Sequence, residues 1–168
     1  YDNMLEFNMF LRRMNTDNYQ AKLNNAAQMI AKADYTVFLG LGTSGSLSEY
    51  ATKYFVNTGL RSFVISDPFQ AVQVQGMGNV VAVIMSVSGE TEQVVNKELE
   101  FKAGGAKIIS ITNNEDCTVA KLADYQLSYS LVNEWSKQYP LGNLTTQLPV
   151  LAILEILAHK SIDYHLKK

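Results

Sequence analysis

The sequence predicts an α/β fold, a three-layer doubly wound sheet of five parallel strands, and three observations lead there. Short, continuously apolar runs at residues 35–39 and 80–87 suit strands buried on both faces. Stretches with helical spacing separate most of the strand candidates, as parallel neighbours require. Two strand candidates also pass into helices through turns rich in glycine and hydroxyl side chains, at residues 40–45 and 86–91. Ligands of doubly wound sheets bind at such carboxyl-edge turns.

Each element follows from local pattern. Residues 16–33 place Tyr19, Leu23, Ala26, Ala27, Ile30 and Ala33 at helical spacing, with Thr16 or Asp17 as cap. The strand at 35–39 follows, then a helix at 45–57 that Gly59 stops in a left-handed conformation. Further strands are predicted at 62–66, 80–87, 107–112 and 125–130, with helices at 92–103, stopped by Gly104 and Gly105, and at 116–123. A final helix at about 148–160 is apolar nearly all round, with Glu155 the main interruption and Pro149 tolerated in its first turn. Such a helix must be covered on every side, by the sheet or by a second subunit. The strand order expected is flavodoxin-like.

Composition bounds the function. The 168 residues suit one domain, and 47% hydrophobic residues supply a core. Fourteen basic against 16 acidic side chains, a net charge of -2 and no run of Lys or Arg argue against a nucleic-acid surface. One cysteine, Cys117, excludes an internal disulfide framework and points to a reducing compartment. It is expected to be a buried small residue, because Glu115 and Asp116 oppose a thiolate there. The longest apolar run, 148–154, is too short to span a bilayer. No spacing of metal ligands occurs, and neither a metal nor a cofactor is expected. A start at Tyr1 rather than Met fits a domain cut from a longer cytoplasmic protein.

The two turns carry the chemistry. In Gly40-Leu41-Gly42-Thr43-Ser44-Gly45 the glycines allow a tight bend, and the first N–H groups of the following helix offer an anion site. Ser86-Val87-Ser88-Gly89-Glu90-Thr91 sets three hydroxyls around one glycine, enough to surround a phosphate with neutral donors. If their strands are neighbours, both turns face one pocket. The first turn also matches G-x-G-x-x-G, and Asp67 lies where a ribose-binding acid would stand, so a dinucleotide site is a rival. The second turn has no role in that scheme, and Asp67-Pro68 equally suits a turn.

At these residues the sequence resembles the sugar isomerase (SIS) domain family of phosphosugar isomerases and phosphosugar-binding regulators. Ser86-Val87-Ser88-Gly89-Glu90-Thr91 is close to its S-x-S-G-x-T signature. Residues 37–44 are similar to its first strand and turn, residues 105–112 to its fourth strand, and Ala120-Lys121-Leu122-Ala123-Asp124 to the pattern that follows. The resemblance implies that Ser44, Ser86, Ser88 and Thr91 hold a sugar phosphate, helped by Thr43 and the N–H of Gly89. Within the family the chain most resembles the ligand-binding domain of RpiR-type transcriptional regulators. That implies residues 1–15 as a linker or helical extension, 16–168 as the phosphosugar-binding domain, and a homodimer or higher oligomer. It also implies contact with DNA only through an amino-terminal helix-turn-helix domain absent here.

An isomerase would need an acid–base pair. The resemblance singles out Glu134, since a similar glutamate serves the family's isomerases. His159 and His165 are read as a helix-face residue and a tail residue. Residues 135–146 depart from the isomerases, although Pro140-Leu141-Gly142 is similar to single-domain hexulose-phosphate isomerases. Sensing is therefore expected over turnover.

Overall fold

The structure, a computed structural model, describes residues 2–167. Its elements in chain order are α1 (Asn3–Met14), α2 (Asp17–Lys32), β1 (Tyr35–Leu39), α3 (Thr43–Asn57), β2 (Ser62–Ile65) and β3 (Val80–Ser86). Then come α4 (Glu92–Ala103), β4 (Lys107–Thr112), α5 (Thr118–Leu122), β5 (Tyr125–Ser128) and α6 (Leu148–Leu166). All strand pairs are parallel, in the order β2-β1-β3-β4-β5. This is the doubly wound, flavodoxin-like sheet expected from the alternation of elements.

Alternation along the strands sorts side chains to the two faces. Phe38, Val81, Val83, Met85, Ile109, Ile111 and Leu127 meet Phe10 and Met14 of α1, Ala26 and Ile30 of α2, Phe55 of α3, and Leu154 and Leu157 of α6. On the other face Val37, Leu39, Ile65, Ala82, Ile84 and Ile108 meet Val94 and Phe101 of α4 and Val119 and Ala120 of α5. No helix joins β2 to β3; Val74, with half-buried Val72 and Met77, covers that part of the second face instead. Full burial of each such large side chain contributes about 2 kcal/mol.

The helix ends have local causes. Asp2 caps α1 by accepting N–H bonds from Met4 and Leu5, and Thr16 caps α2 by accepting one from Tyr19. Helix α3 begins at Thr43, two residues before the expected start, because Gly42 serves as its N-cap. Helix α5 is shorter than expected, since an Asx turn, with Asp116 N donating to Asn114 Oδ1 at 2.8 Å, precedes it. Helix α6 runs past residue 160 to Leu166, because α2 continues beside it. There Lys160 Nζ donates to Asn24 Oδ1 at 2.8 Å, and His165 Nδ1 lies 3.2 Å from the Ala31 carbonyl. Its face at Ile153, Leu154, Leu157 and Ala158 is buried within the molecule, while Leu148 and His159 are exposed.

A buried carboxyl interrupts the apolar face of α4. Glu98 of α4 is fully buried between Val94 and Phe101, and both its carboxyl oxygens lack a hydrogen-bond partner. Burial pushes its carboxyl up to about 8, with Lys102 opposing. Among the described residues no helix is long and apolar enough to cross a membrane.

Candidate functional site

Strands β1 and β3 are neighbours, with Leu39 in register with Ile84, so the turns that end them lie side by side. Together with the segment after β5 they enclose a cleft of about 430 Å³. Its walls are Leu41, Gly42, Thr43 and Ser44 from the first turn, and Met85, Ser86, Val87, Ser88, Thr91 and Val94 from the second turn and its flanks. Trp135, Leu141, Gly142 and Asn143 complete it.

The first turn is fixed by steric closeness. A Cβ on Gly40 would stand 2.6 Å from the Ser44 carbonyl oxygen and 2.8 Å from Ser48 Oγ, so only glycine fits beneath the start of α3. The N–H groups of Thr43, Ser44 and Gly45, in the first turn of that 15-residue helix, have no acceptor within it. They are oriented for an anion. Gln147 Nε2 donates to Thr43 Oγ1 at 2.6 Å, and Gln147 Oε1 is buried without a partner.

The second turn is fixed by hydrogen bonds. Gly89, at φ 67°, donates its N–H to Ser86 Oγ at 2.9 Å, and Glu90 donates its N–H to Ser88 Oγ at 3.2 Å. Each of these serines still has its own hydroxyl proton for a ligand oxygen. Glu90 does not line the cleft. Its carboxylate accepts the Thr118 N–H at 2.7 Å and the Thr118 hydroxyl at 2.8 Å, and these bonds hold it below the usual carboxylate range.

The third wall is a small antiparallel excursion with a bridge between Trp135 and Asn143. Leu144 N donates to the Glu134 carbonyl at 2.7 Å, Ser136 N to the Gly142 carbonyl at 2.7 Å, and Glu134 N to Thr145 Oγ1 at 2.8 Å. Asn113 anchors its start, exchanging bonds with Leu131 N and O at 2.7 and 2.9 Å.

The structure thus gathers Thr43, Ser44, Ser86, Ser88 and Thr91 at one cleft. Gly89 and half-buried Glu134 do not line it, and the Gly89 N–H is already engaged by Ser86. Sequence reasoning did not place Trp135, Leu141 or Asn143 in a site; the Pro140-Leu141-Gly142 motif was the signal available. His159 Nε2 meets Tyr54 Oη at 2.9 Å on the α3–α6 surface, outside the cleft. Cys117 is buried, its thiol donating to the Asn114 carbonyl at 2.9 Å. Asp67, the rival ribose ligand, accepts the Phe69 N–H at 2.9 Å and so starts a turn. No lining side chain is charged, so an anion here would be held by N–H and O–H donors. Among the described residues no group of three or more His, Cys, Asp or Glu is placed to hold a metal ion.

Comparison with known proteins bears on the fold and the family. Over 131 residues the chain is 27% identical to an uncharacterized HTH-type transcriptional regulator of Clostridium perfringens, covering 77% of this chain and 46% of that protein. It is 29% identical over 127 residues to the arabinose 5-phosphate isomerase KpsF of Escherichia coli, covering 73% of this chain and 38% of that protein. The chain therefore spans less than half the length of these curated relatives.

Among solved structures, the sugar isomerase domain of an RpiR transcription factor from Sphaerobacter thermophilus has a TM-score of 0.77 at 13% identity, covering 98% of this chain and 88% of that one. A protein of E. coli CFT073, solved as a ligand complex, has a TM-score of 0.75 at 23% identity, covering 96% and 85%. These two likenesses establish the shared fold. A family model for the SIS domain matches residues 29–157, most of the chain and both turns. On that match the chain belongs to the SIS domain family.

Proposed function

We propose that the chain is the phosphosugar-binding effector domain of an RpiR-type transcriptional regulator, acting in the cytoplasm as a homodimer. The observation that carries this reading is the composition of the cleft. Its polar lining is hydroxyls, one amide and one indole, with no carboxylate, imidazole or amine among the lining side chains. Such a wall can grip a phosphate and hydrogen-bond a sugar. It lacks the acid–base pair that moving a proton between adjacent carbons requires. The phosphate would sit between the N-terminus of α3 and Ser86, Ser88 and Thr91, with the sugar towards Trp135 and Asn143.

As an effector domain, the protein would work by population shift. A sugar phosphate that binds one arrangement of the dimer better alters the spacing of attached DNA-binding heads, and the coupling is no larger than the ligand's preference between the two states.

The likeness to KpsF, and the position of Glu134 one residue from the cleft-lining Trp135, support aldose–ketose isomerisation as the second reading. Calorimetry and isomerase assays on the same samples decide between them, with arabinose 5-phosphate, fructose 6-phosphate and ManNAc-6P, the ligand in a solved complex of the structurally similar Vibrio vulnificus NanR protein, as the panel. Binding without turnover is expected. Turnover abolished by Glu134→Gln would overturn sensing in favour of catalysis. Ser88→Ala combined with Thr91→Ala should weaken binding at least about tenfold, by removing two donors to a charged group. Unchanged affinity would refute the site.

A further inference from the structure

The second turn contains an acid where an anion is to be bound. A carboxylate there repels a phosphate unless it is turned aside and satisfied elsewhere. Glu90 is turned aside: Oε1 and Oε2 accept the N–H and the hydroxyl of Thr118, at 2.7 and 2.8 Å. Further contacts join the same two segments. Asn113 N donates to the Val87 carbonyl at 3.1 Å, and Val119 N donates to the Gly89 carbonyl at 3.0 Å. The Cys117 thiol fills the space beside Gly89, where a Cβ would lie only 2.1 Å from its sulfur. The second turn therefore takes its shape from the connection between β4 and α5.

The same connection grips the third wall. The Asn113 side chain, in a residue only 6% exposed, accepts from Leu131 N at 2.7 Å. Its amide donates to the Leu131 carbonyl at 2.9 Å and to Asn133 Oδ1 at 3.1 Å. Leu131 and Asn133 lead directly into Glu134 and Trp135. A continuous hydrogen-bonded path thus runs from the phosphate turn, through residues 113–118, to the wall that would face the sugar.

We propose that Glu90 and Asn113 are positioning residues that lock the second turn and the Trp135 wall into one unit, so that capture of the phosphate sets the wall against the sugar. Neither side chain need touch the ligand. This rests on the reading of the cleft as a phosphosugar site, and the test separates the two.

The experiment is calorimetry on the full chain with two probes: the tightest-binding sugar phosphate of the panel above, and inorganic phosphate. Glu90→Ala should weaken both probes by about tenfold, the equivalent of losing one charge-assisted bond. Glu90→Gln, which can still accept the Thr118 N–H, should recover most of that loss. Thr118→Val in the Glu90→Ala background should add little, since both changes break one link. Asn113→Ala should weaken the sugar phosphate while leaving inorganic phosphate unchanged, because it frees the wall and not the turn. Asn113→Asp, which keeps the acceptor for Leu131 N, gives the same split in a milder form should the alanine variant fail to fold.

A Glu90→Ala protein that melts earlier yet binds both probes as before would reduce Glu90 to a cap of α5 and overturn the proposal. So would equal weakening of both probes by the Asn113 variants. If no panel member binds, or Ser88→Ala with Thr91→Ala changes nothing, the site reading itself falls. If that pair weakens binding and Glu90→Ala does not, only the positioning role falls.

Discussion

The two turns of the cleft occupy equivalent places, each between a central strand and the helix that follows, yet they are held by different forces. The first is set by backbone closeness: Gly40 lies under Ser44, and a Cβ on Gly45 would stand 3.0 Å from the Gly40 carbonyl oxygen. The second is set by polar side chains, with Ser86 and Ser88 accepting N–H bonds from within the turn and Glu90 tying it to Thr118. Where sterics fix the backbone, hydroxyls are released for other partners. Where hydroxyls fix it, shape and grip cannot be altered separately.

Glycine replacements give the largest expected effects. At Gly40 a methyl group meets the backbone of Ser44 at 2.6 Å, and no side-chain adjustment relieves it. Gly40→Ala should cost at least about 3 kcal/mol in urea unfolding, at or beyond the upper end of typical overpacking penalties. At Gly89 the obstacle is a side chain, Cys117 Sγ at 2.1 Å and Cβ at 2.6 Å, together with the positive φ. Gly89→Ala should cost about 3 kcal/mol. Adding Cys117→Gly should restore about half of the loss at Gly89, that part being steric. Adding Ser48→Ala should restore little at Gly40. Equal rescue at both sites would show that the turns are held alike.

The contrast continues into the helices. Helix α3 presents Ser48, Ala51 and Phe55 to the core, and the Ser48 hydroxyl donates to the Ser44 carbonyl at 2.8 Å. Helix α4 presents Val94, Glu98 and Phe101, and the Glu98 carboxyl has no hydrogen-bond partner. The folded value for Glu98, about 8, lies above the unfolded value of roughly 4.3. The folded state therefore binds the extra proton across that window. The stability tied to this group is complete below the unfolded value and is lost as pH rises through about 8. Glu98→Leu should accordingly stabilise more at pH 9 than at pH 5, by about 2 kcal/mol after discounting for relaxation around a buried charge. A pH-independent difference between the two proteins would show that Glu98 is solvated.

This division also marks what the sequence reveals. Features governed by neighbours in the chain are legible: the strand at Tyr35–Leu39, the helix at Glu92–Ala103 and the strand at Lys107–Thr112 follow from apolar runs and their glycine stops. The side-by-side turns follow from the logic of parallel crossovers. Features governed by remote polar contacts are not legible. Glu90 reads as a member of its turn, but its partner Thr118 lies 28 residues away. The third wall has no periodicity, and its anchor, Asn113, lies 18 residues before Leu131. Helix α1 is apolar at Met4, Leu5, Met9 and Leu11 as well as at Phe10 and Met14, yet only the last two are buried. Phe7, Phe10 and Met14 stand at helical spacing and turn to the core, but packing against α2 and α6 decides how much of the apolar surface beside them is covered.

The smallest expected effect probes the hydroxyl that backbone packing leaves to the first turn. Gln147 holds Thr43 Oγ1 at 2.6 Å while its own Oε1 is buried without a partner. That orphan oxygen costs about 1 kcal/mol and offsets the bond to Thr43. Gln147→Met keeps the length of the side chain and removes both effects, so stability should change by less than about 1 kcal/mol. Affinity should respond as little. Thr43 Oγ1 accepts from Gln147 and so keeps its own hydroxyl proton for a phosphate oxygen with or without that bond, and binding of a sugar phosphate should change by less than about threefold. Truncation in the second turn can only weaken binding, because Ser88 shapes the turn as well as facing the cleft. Calorimetry of Gln147→Met beside Ser88→Ala measures both effects in one series. A small change at the first turn and a clear loss at the second are what two differently held turns require; an equal loss in both would mean that Thr43, like Ser88, owes its place to the hydrogen bond it accepts.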